Sequence, residues 1–303
     1  MFEAARLVHP AAIARRPNST RAMSSAPLIG LLLALASALV WGSGDFVGGL
    51  ATSRRTPIQV LALASLAGVP LLLLLAFLAN ERIPPLPDIL WAMAGGISGA
   101  VGVAALYRGL STGSAAIVAP TAGVVSAAIP VIVGSLLQGL PPGTRLAGIF
   151  AGLVGIGLVS KPADTRVESV RSSLALSVLA GAGFGGFFVV IAQLKGGLLF
   201  APLVIAKLAA VAFASLILVI RREPLPSLVG QPIALLAGVL DAGGNFFYLL
   251  AVQHVRLDVA AVLTSMYPAT TVILSAALLH ERIRSLQVVG VGLCLTGVAL
   301  IAL

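Results

Sequence analysis

Three ionisable side chains lie inside long apolar stretches of the sequence: Asp45, Lys207 and Asp241. An ionised side chain at the centre of a bilayer costs roughly 2.5–3.5 kcal/mol on insertion scales, so such residues normally have a function or a partner. Two explanations remain open here. Asp45 or Asp241 can bind a cationic substrate or carry a coupling proton, whereas Lys207 and Asp241 can form a structural ion pair.

Polar and aromatic neighbours share helix faces with both carboxylates. Trp41 precedes Asp45 by one helical turn, and Asp241, Asn245 and Tyr248 follow the i, i+4, i+7 spacing of one face. Because lipid offers no hydrogen-bond partners, these faces are predicted to point into the protein. The residues predicted to line a substrate pathway are Trp41, Asp45, Tyr107, Asp241, Asn245 and Tyr248.

Composition identifies the chain as a polytopic membrane protein. Of its 303 residues, 59% are hydrophobic, the mean hydropathy is +1.09, and 19 Lys and Arg stand against 10 Asp and Glu. A soluble protein carries about 25% charged residues, so a soluble enzyme, a nucleic-acid-binding protein and a disordered chain are excluded. The single cysteine, Cys294, rules out a disulfide framework and a cysteine-based zinc site. No motif for a metal or another cofactor is found, and none is expected.

The residues predicted to line the pathway are expected to lie on helices, because the alternating pattern of a membrane β-barrel is absent. A bilayer core about 30 Å thick needs roughly 20 apolar helical residues per crossing. Ten segments qualify as candidate spans: 27–50, 58–79, 88–110, 115–138, 143–160, 172–194, 199–220, 228–252, 258–279 and 285–303. Pro120, Pro130 and Pro268 are predicted to kink or break the fourth and ninth spans, since proline removes a helix hydrogen bond.

An internal repeat divides the ten spans into five and five. Residues 105–160 align without a gap on 247–302, a shift of 142, and a shift of 141 pairs a Gly-x-Gly-x-Phe pattern at 42–46 with one at 183–187. Since each half has an odd number of spans, the second half must be inverted, which is typical of transporters. The fold prediction is an all-α membrane protein with ten transmembrane helices as two inverted five-helix repeats. Its parts are an N-terminal tail (1–26), a first repeat (27–160), a connecting loop (161–171) and a second repeat (172–303).

The N-terminal tail differs in composition from the rest. It contains Arg6, Arg15, Arg16 and Arg21 against the single acid Glu3. Three interpretations remain open: a transit peptide, a cytoplasmic tail, or an upstream start codon with the natural start at Met23.

The motif near the C-terminus resembles a known family. Residues 258–298 contain Tyr267-Pro268, the turn Glu281-Arg282, and Gly290 and Gly297, while Trp41-Gly42 occurs in the first span. These features resemble EamA repeats of the drug/metabolite transporter superfamily, over residues 27–303. One departure is that Gln138-Gly139 replaces His280-Glu281 in the first half, so no essential role is assigned to the acidic turn.

The resemblance implies a secondary active or facilitative transporter. We expect an exporter of small organic metabolites or drugs that works by alternating access in the plasma (bacterial inner) membrane. Expected partners are membrane lipids and a small-molecule substrate, with protons and a second copy of the chain as optional partners and no nucleic acid. One alternative is an integral membrane enzyme acting on a lipid-linked substrate, which needs a catalytic cluster at the membrane edge; another is a non-transporting scaffold.

Charge and resemblance disagree on orientation. The resemblance implies that both termini are cytoplasmic, which leaves four Lys and Arg in the inner loops, apart from the N-terminal tail, and ten in the outer loops. The positive-inside rule predicts the reverse.

Overall fold

A computed structural model describes residues 25–53, 55–112, 115–159, 170–194, 197–279 and 285–302. Nearly all of the predicted tail, the connecting loop and the His280-Glu281 turn lie outside these ranges. The described residues form eleven helices and no strand. They are α1 (Ser25–Thr52), α2 (Pro57–Leu78), α3 (Leu86–Thr112), α4 (Ala115–Gln138), α5 (Gly143–Val159), α6 (Val170–Ile191), α7 (Phe200–Ile220), α8 (Pro232–Ala251), α9 (Leu257–Thr264), α10 (Tyr267–Leu279) and α11 (Ser285–Ala302).

Eight segments of the described chain are long and apolar enough to cross a membrane: α1, α2, α3, α4, α6, α7, α8 and the pair α9–α10. The expected count of ten is not reached on this criterion. Helices α5 and α11 are apolar but have only 17 and 18 residues. At a rise of 1.5 Å per residue they extend about 26–27 Å, slightly less than a bilayer core of about 30 Å.

The predicted break in the ninth span is present, whereas the fourth span is continuous. α9 ends at Thr264, and α10 begins with Tyr267-Pro268 after two intervening residues. Proline fits the first turn of a helix because that position needs no intrahelical N–H bond. α4 runs unbroken through Pro120 and Pro130, as neighbouring helices allow for prolines in membrane helices.

The principal helix contacts join the two halves of the chain. α1 packs on α8, α3 and α4 pack on α6, α2 packs on α7, and α5 packs on α11. Contacts among α1–α5 themselves are much sparser. Each half therefore obtains most of its packing from the other half.

Glycines permit two further contacts between the halves, α3 with α7 and α2 with α8, at equivalent places. Gly96 of α3 lies directly against the backbone carbonyl of Ala206, and Gly238 of α8 lies against that of Ala64. A Cβ at either glycine would collide with the carbonyl. The sequence shift of the repeat relates one contact to the other, because it pairs Gly96 with Gly238 and Ala64 with Ala206.

The loops that follow α2 and α7 are also equivalent. Asn80 and Arg222 both have a positive φ, 51° and 55°, and each is followed by a glutamate. Glu81 accepts hydrogen bonds from the backbone N–H groups of three residues, Leu199 (2.8 Å), Phe200 (3.0 Å) and Ala201 (2.7 Å), at the start of α7. Its negative charge therefore lies where the partial positive charge of the helix N-terminus is greatest.

Glu223 makes the corresponding contact at the opposite end of the bundle. It accepts a hydrogen bond of 2.7 Å from the hydroxyl of Thr56, the N-cap of α2. We call these two ends of the molecule the Glu81 end and the Glu223 end.

An arginine joins α4 to α9 at the Glu81 end. Arg256 donates hydrogen bonds to the carbonyls of Gln138 (3.1 Å) and Gly139 (2.7 Å). It also forms an ion pair of 2.8 Å with Asp258, whose side chain is completely buried. This contact fastens the end of α4 to the start of α9.

Candidate functional site

A cavity with several polar and ionisable side chains lies in the interior between α1, α2, α3, α6, α7, α8 and the start of α10. Its walls are mainly apolar, and its ionisable groups are Asp45, Lys207, Asp241 and Tyr267. Each helix that lines the cavity also packs against a helix from the other half of the chain.

Asp241 is held by three side chains. Lys207 forms an ion pair with one carboxylate oxygen, and the indole N–H of Trp41 donates to the other at 3.0 Å. The amide of Asn245 donates to that same oxygen at 3.1 Å. Since Lys207 supplies the opposite charge and the other two supply neutral donors, both carboxylate oxygens of Asp241 are engaged.

Asp45 is in a different environment. It lies one helical turn beyond Trp41, is exposed, and lines the cavity. No hydrogen bond or ion pair to Asp45 is found among the described residues. Its carboxylate is thus available to a solute or a proton.

Aromatic rings form one side of the cavity. The ring of Trp41 lies 5.9 Å from that of Phe187 and 5.6 Å from that of Phe188. Phe184, one turn earlier on α6, also lines the cavity. Such rings provide an apolar surface whose faces attract cations.

The structure brings together most of the residues predicted to line a pathway. Trp41, Asp45, Asp241 and Asn245 all line the cavity, and the potential structural partner Lys207 does so as well. Tyr107 lies in α3, and its side chain lies outside the described residues.

Tyr248 differs from the prediction. It is fully buried and is not part of the cavity wall. Its hydroxyl donates a hydrogen bond of 2.8 Å to the carbonyl of Phe188, and its ring lies behind that residue at 4.7 Å. The face shared with Asp241 continues behind Phe187 and Phe188 of α6, so Tyr248 supports the cavity wall from behind.

Sequence reasoning did not select the aromatic residues of α6 or Ser65. Phe184 and Phe187 belong to an apolar helix, and its sequence does not distinguish a ring that lines a cavity from a ring that faces lipid. The only signal was the repeat, which paired Phe187 with Phe46. Tyr267, part of the Tyr-Pro motif, lines the cavity beside the helix break.

The charges of the cavity determine what it can bind. Asp45 and Asp241 contribute two negative charges and Lys207 one positive charge, so the described lining has a net charge of −1 when all three are ionised. In the described part of the chain, no group of three or more His, Cys, Asp or Glu side chains is placed to hold a metal ion. The chemistry available is therefore that of a charged, aromatic binding cavity.

Comparisons with known proteins agree with this architecture. Residues 28–161 and 171–303 each match the EamA-like transporter family. The chain is 25% identical over 288 residues to the protein called "Uncharacterized inner membrane transporter YedA" of Escherichia coli strain K12, with 91% of each chain covered, and equally to its counterpart in E. coli O157:H7.

A solved crystal structure has the same fold, with a TM-score of 0.67 at 19% identity, covering 92% of this chain and 96% of the other. At this identity the likeness concerns the fold alone. The two family matches together include most of the chain, which confirms the resemblance seen in the motifs. This multi-pass membrane protein belongs to the EamA-like transporter family.

Proposed function

We propose that the protein is a secondary transporter of small organic cations with an apolar or aromatic body. The observation that carries this proposal is the carboxylate of Asp45, which faces an aromatic cavity and has no partner among the described residues. Lys207 is neutralised by Asp241, so Asp45 gives the cavity its net negative charge. A cation would pair with Asp45 while its apolar body contacts Trp41 and Phe187.

Alternating access is supported by the reciprocal contacts between the halves. Contacts related by the shift of the repeat recur at Gly96 and Gly238 and at Glu81 and Glu223. The two members of each pair lie at opposite ends of the molecule, as two inverted repeats of five spans require when α5, α11 and the α9–α10 pair are counted as spans. A site between inverted repeats can be opened to either side by exchanging their conformations.

We further propose export across a bacterial inner membrane, driven by proton exchange at Asp45 or Asp241. The inner membrane is proposed because the relative YedA is called an inner membrane transporter. Asp45 is the better carrier of the two, since a proton and a cationic solute would compete for its unpaired carboxylate. The family match favours transport over the alternative of a membrane enzyme acting on a lipid-linked substrate.

Binding of a cation can be measured directly from the fluorescence of the Trp41 indole. Only two tryptophans are present, and the other, Trp91, is half-exposed on the outer surface, so Trp91→Phe isolates the signal of Trp41. We expect tetraphenylphosphonium to change this fluorescence and tetraphenylborate, of the same shape and opposite charge, to leave it unchanged. Asp45→Asn should weaken cation binding about tenfold or more, the loss expected when a charged partner is removed, and Asp45→Glu should retain part of it.

Transport is measured separately, as accumulation of ethidium in proteoliposomes under an imposed pH gradient. Wild-type protein should accumulate ethidium and Asp45→Asn should not. Equal binding of both tetraphenyl ions would overturn the assignment of a cationic substrate. Cation binding without transport of ethidium or release of protons would overturn the proposed coupling.

A further inference from the structure

A buried carboxylate at the Glu81 end has an oxygen without a partner. Asp88, in the first turn of α3, is only 2% exposed. Its Oδ1 atom has almost no accessible surface and no hydrogen-bond partner, and no ion pair to Asp88 is found among the described residues. Because burial of an isolated charge is costly, a carboxylate in this position normally has a counter-ion.

The local sequence explains why the helix itself does not satisfy this oxygen. An acid three residues into a helix commonly accepts a hydrogen bond from the N–H of the capping residue. That residue is Pro85 here, and Pro87 lies in the first turn, and proline has no N–H. The N–H groups of Asp88 and Ile89 both donate to the carbonyl of Pro85, at 2.9 and 3.0 Å. The first turn of α3 therefore leaves Oδ1 of Asp88 without a donor.

Asp88 lines a cavity between the turn that follows α2 and the residues that precede α7. Asn80 and Glu81 line it from the turn, and Gly197 lines it from the other half of the chain. Both oxygens of Glu81 are engaged by N–H groups at the start of α7, so Asp88 is the carboxylate of this pair that remains available. Arg82 also lines the cavity, but it is exposed, so its charge is in contact with solvent.

The repeat indicates that the fold does not require an acid at this position. The turn after α7 has a similar positive φ and the same glutamate as the turn after α2. The shift of 142 leads from Asp88 to Gly230 and from Asn80 to Arg222. The equivalent turn is thus built without a buried carboxylate, and an arginine replaces the amide. This difference favours a binding role for Asp88 over a structural one.

We propose that this cavity binds a monovalent inorganic cation of the size of sodium. Oδ1 of Asp88 is the charged ligand, and the Asn80 amide and the backbone carbonyls of the turn supply further oxygens. An organic ammonium is less suitable, because an oxygen with almost no accessible surface admits only a small ion. A divalent ion takes more carboxylates, and the described residues contain no group of three or more His, Cys, Asp or Glu placed around a metal.

Thermal unfolding of the full-length protein in detergent tests this site. Sodium chloride is titrated at constant ionic strength, with Tris chloride as the balancing salt. We expect a saturable rise in Tm for wild type, because a ligand that binds the native state stabilises it. Asp88→Asn should need about tenfold more sodium for the same rise. Without sodium this variant should be no less stable than wild type, since it loses a buried charge that lacks a partner.

Asp45→Asn is the matched control, because Asp45 is an unpaired carboxylate of the central cavity, whose lining shares no described residue with this site. It should keep the wild-type response to sodium. A response that is lost in Asp45→Asn and kept in Asp88→Asn would place the ion in the central cavity and overturn the proposal.

Fluorescence gives a second measurement that leaves Asp88 in place. In Trp41→Phe protein the signal comes from Trp91, one turn after Asp88 on α3, and it should change on addition of sodium. In Trp91→Phe protein the signal of Trp41 should not change. The reverse pattern would contradict a site at Asp88.

Two other partners for Asp88 are distinguished by the same titration. If a proton satisfies Oδ1, lowering the pH stabilises wild type more than Asp88→Asn, and sodium has no effect. Lys195 is two residues before Gly197 in the sequence and lies outside the described residues. If its ammonium neutralises Asp88, wild type shows no response to sodium and Lys195→Gln gains one. Either result would overturn the proposal.

Discussion

At the scale of single residues, the two carboxylates of the central cavity have different tasks. Asp241 is paired with Lys207 and held by Trp41, whereas Asp45 faces the cavity unpaired among the described residues. The sequence offered an ion pair between Lys207 and Asp241 as one of two explanations, and the structure shows that pair. The difference depends on which side chains face each acid across the cavity, and the packing of α7 and α8 against α1, α2 and α3 decides that Lys207 meets Asp241.

This difference predicts how substitutions at the two acids affect stability. Asp241→Asn leaves the nearly buried ammonium of Lys207 without its counter-ion. We expect a loss of about 2 kcal/mol in the free energy of unfolding, less than for a fully buried pair because Asp241 faces the cavity. Thermal unfolding in detergent measures this, and Asp45→Asn serves as the comparison, with a smaller effect.

The double variant Lys207→Gln/Asp241→Asn should recover most of the lost stability, since no unpaired charge remains. A double variant as unstable as Asp241→Asn alone would contradict the ion pair as the cause.

At the scale of helices, close backbone contacts hold the bundle together. Gly96 and Gly238 each lie against a carbonyl of the partner helix. Replacing either by alanine should destabilise the protein by about 1–3 kcal/mol, because the helices must separate to admit the methyl group. The two variants should behave alike, since their contacts are equivalent.

Gly49 of α1 is the control for this prediction, because a Cβ there would contact nothing within 4 Å. Alanine at this position should be neutral or slightly stabilising, as expected from its helix propensity. Thermal unfolding and ethidium accumulation of the three variants test both statements. If Gly49→Ala is as damaging as the others, the effect does not come from helix contact.

Much of the helical architecture could be predicted, and some of it could not. Long apolar runs predicted the helices, and Pro268 predicted the break before α10. The same reasoning expected a kink or break in α4, and no break occurs at either of its two prolines. Tyr248 shows the limit most clearly: periodicity places it on the face of Asp241, but whether that face meets a cavity or another helix is decided by α6.

At the scale of the whole molecule, the contact of Arg256 with the end of α4 joins α4 to α9 at the Glu81 end. Arg256→Lys keeps a positive charge beside the buried Asp258 and removes the paired donation to the carbonyls of Gln138 and Gly139. We expect this variant to populate a state in which α4 and α9 have separated. Spin labels at Leu140→Cys and Gln253→Cys, in a Cys294→Ala background, would show it as a longer component in the distance distribution.

Arg82→Lys is the matched control, since Arg82 is exposed at the same end and is not part of this contact. An unchanged distance distribution in Arg256→Lys, with or without a bound cation, would mean that this contact does not control the end.

The predominance of contacts between the halves has a consequence for biosynthesis. The first five helices leave the ribosome before their partners have been synthesised. α1 packs on α8, α2 packs on α7, and Glu81 binds the start of α7, and all of these partners are translated later. The sequence repeat is therefore not an autonomous folding unit, and a chain truncated near residue 165 should be degraded as an orphan. Co-expressed as two fragments, the halves should restore each other, because nearly all of the interface that stabilises either one is supplied by its complement.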